Sequence, residues 1–296
     1  MNGILPLWKQ KGMTSHDCVF KIRKLLKTKK VGHTGTLDPE VEGVLPICIG
    51  QATKIVPFLT ETQKTYVAEL KLGTATETED AHGKVFEEKT VTDFPTADRI
   101  NEVLTSFVGK ITQVPPMYSA VKVNGKKLYE YARANQVVER PTRQIEIFSI
   151  SNVSVHEDRQ SITFQVVCSK GTYIRTLCVD IGKKLGYPAH MAHLVRTKVG
   201  SFSRKESLSL LEVEEAVKKG TPESLLIPLS KGLDHLDYLQ VDEKTAEKVR
   251  NGQKLLKPDK IMKEPFVIMH NQDFLAIYQT HPEKPGEIKP VRVFNG

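Results

Sequence analysis

Three segments of the chain have apolar residues at helical spacing, and each is bounded by a capping or a stop residue. They are residues 14–27, 96–108 and 173–185. Thr14 and Thr96 are candidate N-caps for the first two, while Gly109 and Gly186 follow the second and the third. These segments are predicted to be helices, and the first leads directly into a glycine-rich loop.

Other segments have the patterns of strands. Residues 44–50 are a continuous apolar run, which predicts a buried strand, whereas residues 64–74, 145–155 and 161–168 alternate. In the segment 64–74, Tyr66, Ala68, Leu70 and Leu72 are predicted to share one face. The chain has no Rossmann or phosphate-loop fingerprint. This order predicts an α+β domain with a mixed, mostly antiparallel sheet flanked by helices.

The pattern changes near residue 230. Residues 241–249 predict a short helix that Asn251 and Gly252 close, and three short strand-like runs follow at 265–270, 273–279 and 289–294. About 60 residues are few for an independent core. We therefore predict a main domain over residues 1–230 and a small C-terminal domain over residues 235–296, with an extension that only packs on the main domain as the alternative.

The composition gives the chain a net positive charge, which favours binding to polyanions. The 296 residues are 39% apolar and 26% charged, as in soluble globular proteins, and the net charge is +8. A basic surface attracts nucleic acids, although many basic proteins bind none. The basic residues form two clusters, Lys21, Arg23, Lys24, Lys27, Lys29 and Lys30 in one and Lys122, Lys126, Lys127, Arg133, Arg140 and Arg143 in the other. A solvated helix face is the alternative for either cluster.

The cysteines and the N-terminal segment indicate a reducing cytoplasm. Cys18, Cys48, Cys168 and Cys178 form no Cys-x-x-Cys pair and no zinc-binding spacing, so buried free thiols are expected. The apolar residues 4–8 are interrupted by a proline and followed by a lysine, so neither a signal peptide nor a membrane span is predicted.

One stretch predicts a carboxylate that is presented on a supported loop. Residues 32–46 read Gly-His-Thr-Gly-Thr-Leu-Asp-Pro-Glu-Val-Glu-Gly-Val-Leu-Pro. Pro39 disfavours a helical conformation at Asp38, and the glycines permit backbone angles or close approaches that a side chain would block. An Asx turn, in which Asp38 bonds only to its own backbone, is the alternative.

This stretch resembles the catalytic motif of the TruB-type tRNA pseudouridine-55 synthases, in residues 32–39 and again in residues 43–46. The likeness extends through ordered motifs over roughly residues 3–205. It implies the pseudouridine synthase fold with a PUA-like C-terminal domain that binds RNA. It also implies isomerisation of the T-loop uridine at position 55 of tRNA, by a cytoplasmic monomer that needs no metal, cofactor, membrane or protein partner.

The resemblance also implies roles for three residues. Asp38 would be the catalytic carboxylate. Arg175, in the motif of residues 170–177, would pair with it, and guanidinium can hold a carboxylate bidentately. Tyr66, in the motif Lys64-Thr65-Tyr66, would stack on the extruded base and help to remove the C5 proton; a core tyrosine is the alternative.

Further residues are implied to contact the RNA. Residues 113–143 resemble an RNA-gripping insertion, expected to be mobile without RNA and ordered with it. The implied contacts are His33, Thr36, Lys64, Tyr118, Lys122, Lys126, Arg133, Arg143, Leu194 and Arg196. The chain departs from the family at Val41 and Glu42, where a small residue and a hydroxyl are usual, and at Ala134 and Asn135, where a glycine is usual.

Three other functions are compatible with parts of the pattern. A non-catalytic RNA-binding or tRNA-folding module would have the same basic surface but would tolerate loss of Asp38. A glycosidase-like hydrolase requires two carboxylates at a set separation, for which Glu40 and Glu42 are poor partners. A related synthase could act on another RNA. The sequence also leaves open whether Asp38 attacks the sugar, attacks the base or removes a ribose proton.

Overall fold

The computed structural model describes residues 1–259 and 263–294, in which strands and helices alternate along the chain. In chain order the strands are β1 (Gly3–Lys9), β2 (Val31–His33), β3 (Glu42–Ile49), β4 (Lys64–Leu72), β5 (Thr74–Thr76), β6 (Val85–Glu88), β7 (Gly109–Gln113), β8 (Lys122–Val123), β9 (Lys126–Lys127), β10 (Arg143–His156), β11 (Ser161–Cys168), β12 (Ala189–Val199), β13 (Phe202–Ser203), β14 (Tyr238–Gln240), β15 (Leu255–Leu256), β16 (Phe266–His270), β17 (Asp273–Thr280) and β18 (Glu287–Val293). The helices are α1 (Ser15–Leu25), α2 (Val56–Glu61), α3 (Ala97–Thr105), α4 (Leu128–Arg133), α5 (Ile174–Leu185), α6 (Leu210–Lys218) and α7 (Glu243–Arg250).

A nine-stranded sheet forms the centre of the main domain. Its strands follow the order β1-β3-β12-β4-β11-β10-β7, with β2 paired to β3 and β13 paired to β12. Strands β3 and β12 are parallel, and the other neighbours are antiparallel. The predicted α+β class with a mixed, mostly antiparallel sheet is confirmed.

Helices cover the sheet through apolar faces that the sequence pattern predicts. Helices α3 and α5 pack on β4, β10, β11 and β12, where Ala68, Leu70 and Leu72 are buried and Tyr66 packs beside them. The predicted shared face of β4 is therefore confirmed. Helix α1, together with Val213 of α6, covers β1 and β3.

Strand β3 is buried on both faces, which explains its continuous apolar run. Leu45 and Ile47 face α1, whereas Val44 and Cys48 belong to a cluster on the opposite side of the sheet. All four cysteines are buried and free, as expected from the sequence.

The predicted bounds of three elements were too long. Helix α1 ends at Leu25, and Lys27 has a left-handed backbone with φ +48°. Helix α3 ends at Thr105 rather than at residue 108, because the Ser106 hydroxyl donates to the Val103 carbonyl at 2.7 Å and competes with the helix. Strand β4 ends at Leu72, since Gly73 takes φ +98°.

The C-terminal residues form a second sheet with its own small core. Its strands follow the order β14-β16-β17-β18-β15, and α7 packs on it. It also packs on the main domain, where Val267, Ile277 and Phe294 join the cluster that contains Ile55 and Leu59. Residues 260–262 and 295–296 of the predicted C-terminal domain lie outside the described residues. In the described part of the chain, no helix is both long and apolar enough to cross a membrane.

A substitution of Gly43 tests the close approach of β3 to β12. A Cβ atom on Gly43 would lie 2.2 Å from the backbone oxygen of Arg196, and φ is +137°. We expect Gly43→Ala to lower the free energy of unfolding by about 3 kcal/mol or more in urea titration, through overpacking as well as backbone strain. Gly186→Ala is the control, because Gly186 also has positive φ but has nothing within 4 Å of its added Cβ. Its expected cost is about 1 kcal/mol. An equal loss of unfolding free energy in the two variants would show that the close approach of β3 to β12 imposes no constraint on residue 43.

Candidate active site

Asp38 lies on the loop between β2 and β3, and two hydrogen bonds hold this loop to the start of the chain. The Leu37 amide donates to Ser15 Oγ at 2.9 Å, and the Gly12 amide donates to the Pro39 carbonyl at 3.0 Å. Leu37 itself is buried against the main core. The Asp38 side chain remains 44% exposed, so the loop is fixed while its carboxylate is accessible.

Arg175 lies against Asp38 from the first turn of α5. Its Nε is 3.0 Å from Asp38 Oδ2, and its side chain is only 6% exposed. The two terminal nitrogens donate elsewhere, Nη1 to the Thr78 carbonyl at 2.9 Å and Nη2 to the Tyr118 carbonyl at 3.0 Å. The guanidinium group therefore holds Asp38 through Nε rather than as a bidentate fork.

The start of α5 has no side-chain cap of its own, and Gln113 at the end of β7 supplies one. Gln113 Oε1 accepts from the Tyr173 amide at 2.8 Å, and Gln113 Nε2 donates to the Tyr173 carbonyl at 3.0 Å. These bonds fix the helix terminus one residue before Ile174 and two before Arg175. The position of Arg175 thus depends on β7, at the far edge of the sheet.

Arg196, on β12, is a second buried arginine and lies under the Asp38 loop. It is 1% exposed, and it donates from Nε to the Val44 carbonyl at 2.9 Å and from Nη2 to the Gly35 carbonyl at 3.0 Å. These acceptors precede and follow Asp38 in the chain. Arg196 therefore holds the loop from below through hydrogen bonds on both sides of Asp38, and it lies away from the outer surface.

A cavity of about 420 Å³ opens over Asp38 and Arg175. Tyr66, Leu194 and Arg196 line it from the sheet, and Tyr118, Ser119 and Tyr129 line it from the segment after β7. Burial raises the pKa of Tyr66 above its ordinary value, and the nearby Arg196 guanidinium only partly opposes this. Tyr66 is therefore a neutral phenol at physiological pH.

Lys64 is at the cavity wall, but its amine points into the protein. The residue is 5% exposed, and Nζ donates to the carbonyls of Thr60 and Thr62, both at 2.5 Å. Burial lowers the pKa of this amine to about 8. Lys64 thus supports the turn before β4, which carries Tyr66.

His33, at the end of β2, is half-buried beside the same loop. Its Nδ1 has no hydrogen-bond partner among the residues that the structure describes. Burial, followed by the charges of Arg196 and His16, lowers the pKa of His33. The imidazole is therefore neutral at physiological pH, which disfavours an electrostatic contact with phosphate.

The other residues implied to contact RNA divide by exposure. Leu194 is 7% exposed and lines the cavity, and Tyr118 is half-buried at its rim. The remaining ones are exposed, namely Thr36, Lys122, Lys126, Arg133 and Arg143. The predicted residues that line the cavity are Thr36, Asp38, Lys64, Tyr66, Tyr118, Arg175, Leu194 and Arg196. The exposed Lys122, Lys126, Arg133 and Arg143 do not line it.

The segment 113–143 contains a short hairpin and a helix. Strands β8 and β9 are joined by Asn124 and Gly125, both with positive φ, as the Asn-Gly signal predicts. Asn135 also has positive φ, at +51°. Asparagine tolerates this conformation, so it can stand where the resemblance leads us to expect a glycine.

Several residues of the site were not predicted from the sequence. Lys9 is fully buried, and its amine donates to the Pro39 carbonyl at 2.9 Å. Thr78 supplies a carbonyl to Arg175, and Glu79 accepts from the Thr176 hydroxyl at 2.6 Å. Lys9 directly after an apolar run, and the alternating hydroxyl and acidic residues 76–80, were the available signals. Neither signal indicates which loop these residues contact.

Two family models match consecutive parts of the chain. Residues 23–174 match the family model described as TruB family pseudouridylate synthase (N terminal domain). Residues 175–238 match a model described as tRNA pseudouridylate synthase B C-terminal domain.

Relatives cover nearly the entire chain. A protein named tRNA pseudouridine synthase B from Oceanobacillus iheyensis is 61% identical over 99% of this chain and 98% of its own length. A protein of the same name from Bacillus cereus is 52% identical over 99% of this chain and 97% of its own length. The crystal structure of a Cbf5-Nop10-Gar1 complex contains a chain with TM-score 0.74 and 28% identity, over 99% of this chain and 84% of that one.

The lowered pKa of Lys64 predicts a stability change at alkaline pH. Between pH 8 and 10.5 the unfolded state binds more protons than the folded state at this amine, so stability from this group rises with pH. Relative to Lys64→Met, we expect the wild-type free energy of unfolding to increase by about 3 kcal/mol across this window. Urea titrations of both proteins at several pH values measure the difference. If the difference in free energy of unfolding between the two proteins does not depend on pH, the pKa of the Lys64 amine is not lowered by burial.

Proposed function

The chain belongs to the TruB family of pseudouridylate synthases, and we propose that it isomerises the uridine at position 55, in the T-loop of tRNA, with Asp38 as catalytic carboxylate. The identity of 61% and 52% to proteins named tRNA pseudouridine synthase B, over 99% of the chain, supports tRNA uridine as its substrate. The proposal adds the roles of individual residues.

The ion pair of Asp38 with Arg175 in the cavity is the observation that carries these roles. A guanidinium group stays charged at all physiological pH values and attracts and orients an adjacent carboxylate. Arg175 is buried while the Asp38 carboxylate is partly exposed, so the carboxylate is the member of the pair that a substrate can reach.

The reaction is an isomerisation and requires no co-substrate. The bond from ribose C1′ to uracil N1 breaks, the base turns, and C1′ bonds to C5; C5 loses its proton and N1 gains one. Three routes are open to a carboxylate, namely attack on the sugar, attack on the base and removal of a ribose proton. Each route requires an ionised group in contact with the nucleoside. Asp38 lines the cavity, so it is the carboxylate that we assign to this role in each route.

Tyr66 provides an aromatic surface for the extruded base. Its ring lies on the cavity wall near Asp38, and stacking of a base on an aromatic side chain contributes about 1–3 kcal/mol, which offsets the cost of extrusion. The raised pKa keeps the phenol neutral, which supports stacking more than unassisted removal of the C5 proton.

The surrounding surface would hold the rest of the RNA. The exposed Lys122, Lys126, Arg133 and Arg143 lie on the segment that adjoins the cavity, where they can contact phosphates. We also propose that residues 235–296 form a PUA-like RNA-binding domain, and that the enzyme acts in the cytoplasm as a monomer without a protein partner.

A carboxylate-to-amide substitution tests the role of Asp38. We expect Asp38→Asn to bind an unmodified tRNA transcript with nearly wild-type affinity at fixed salt, while its rate of conversion falls at least about a thousandfold. Pseudouridine mapping and a filter-binding titration measure the two properties. Glu40→Gln is the matched control, since it removes a neighbouring carboxylate from the same loop and should convert the RNA normally.

The alternatives predict different results. If the wild type and Asp38→Asn bind equally and neither converts the uridine, the chain is an RNA-binding or RNA-folding module, or its substrate is another RNA. Release of free uracil by the wild type would indicate a hydrolase.

Arg175→Lys tests the position of the cation rather than its charge. A lysine amine cannot reach Asp38 and both carbonyl acceptors in the arrangement of the guanidinium group. We expect the single-turnover rate to fall about a hundredfold with little change in tRNA affinity. Wild-type turnover by Arg175→Lys would show that a positive charge alone suffices.

A further inference from the structure

The outer face of α1 is a basic surface with an exposed aromatic ring at its centre. Residues 16–30 contain six Lys or Arg residues and one acidic residue, a net charge of +5 in a chain whose net charge is +8. Phe20 is 63% exposed on this face. At helical spacing, His16, Asp17, Arg23 and Lys24 lie three or four residues from Phe20 and are therefore its neighbours on the helix surface.

Arg23 donates to the Val31 carbonyl at 2.9 Å, whereas the lysines of this surface are available to a ligand. Asp17 is occupied by the N-terminal cap of the helix, where it accepts from the amide and the hydroxyl of Thr14 at 2.9 and 2.7 Å. Within residues 1–259 and 263–294, none of the five lysines from Lys21 to Lys30 forms an ion pair. A surface with unpaired lysines and a single aromatic ring fits a nucleic acid better than an acidic protein, because nucleic acid offers both phosphates and stacking faces.

Lys27 gives an independent indication. It follows the C-cap of α1 with φ +48°, in the left-handed conformation that favours glycine. A lysine here destabilises the end of the helix. Its amine is exposed at the end of the surface that Phe20 and Lys24 form. A ligand that uses the positive charge accounts for a lysine at this position.

The surface begins beside the active site. The first residue of α1, Ser15, accepts a hydrogen bond from Leu37, next to Asp38, and His16 influences His33 electrostatically. From there the helix extends for about 16 Å. An RNA whose uridine occupies the cavity therefore has neighbouring backbone within reach of α1.

We propose that the outer face of α1 is a second contact surface for the substrate tRNA, in which Lys24 and Lys27 bind phosphates and Phe20 packs on a base or a ribose. This inference rests on the proposed function, since it takes the same RNA as its ligand. The contact lies outside the cavity and outside the segment 113–143, and it adds affinity for RNA that flanks the target uridine.

Salt dependence of binding separates the two kinds of contact. In the Asp38→Asn background, where conversion does not occur, we expect Lys24→Gln with Lys27→Gly to reduce the slope of log affinity against log salt by about 2. Affinity at low salt should fall at least about tenfold. Lys27→Gly removes the amine and relieves the backbone, so its effect is not a loss of folding. Phe20→Ala should weaken binding about tenfold with the slope unchanged.

The matched control removes two lysines from the opposite side of the domain. Lys110 on β7 and Lys183 near the end of α5 are exposed, and β7 is six strands from β1, where α1 packs. Lys110→Gln with Lys183→Gln should alter neither the slope nor the affinity by more than about twofold. The proposal is wrong if the α1 variants behave as this control does. Because binding is measured without turnover, failure of the proposed activity would not affect the result.

Discussion

The active-site cavity depends on how two buried guanidinium groups are satisfied. A buried charge without partners costs several kcal/mol, and Arg175 and Arg196 are 5% and 1% exposed. Arg196 bonds to carbonyls on both sides of Asp38, and Arg175 bonds to carbonyls of two other segments and lies against Asp38 itself. Loops that are distant in the sequence converge here because each supplies an acceptor for one of these two cations.

This arrangement separates the supporting charges from the carboxylate that is proposed to be catalytic. Arg175 is buried, whereas the Asp38 side chain is 44% exposed and faces a cavity large enough for a nucleoside. The buried Leu37 and Val41 flank Asp38 and anchor its loop in the core. Val41 therefore has a structural role at a position where the resemblance leads us to expect a small residue. The carboxylate keeps a charged partner and an accessible face at the same time.

Burial also divides the basic residues into two groups with different roles. Lys9, Lys64 and Arg196 donate to backbone carbonyls and hold the loops around the cavity. Lysines and arginines of the segment 113–143 and of α1 are exposed instead, where phosphates can reach them. The two groups contain the same residue types, and the motifs that resemble the family include members of both. Only the environment of each side chain distinguishes a basic residue that holds a loop from one that phosphates can reach.

The sequence by itself determined the fold class, the four buried thiols and the shared face of β4, because apolar periodicity and local caps act over a few residues. It also indicated Asp38, Tyr66 and Arg175 through their likeness to a family. The tertiary structure alone decided that Arg175 holds Asp38 through Nε, that Lys64 and Arg196 point inward, and that Lys9, Thr78 and Gln113 support the site. Apart from the local bonds of Lys64, these contacts join residues 30 to 161 positions apart. Their formation depends on where the whole sheet brings each carbonyl, and no local pattern of residues encodes that.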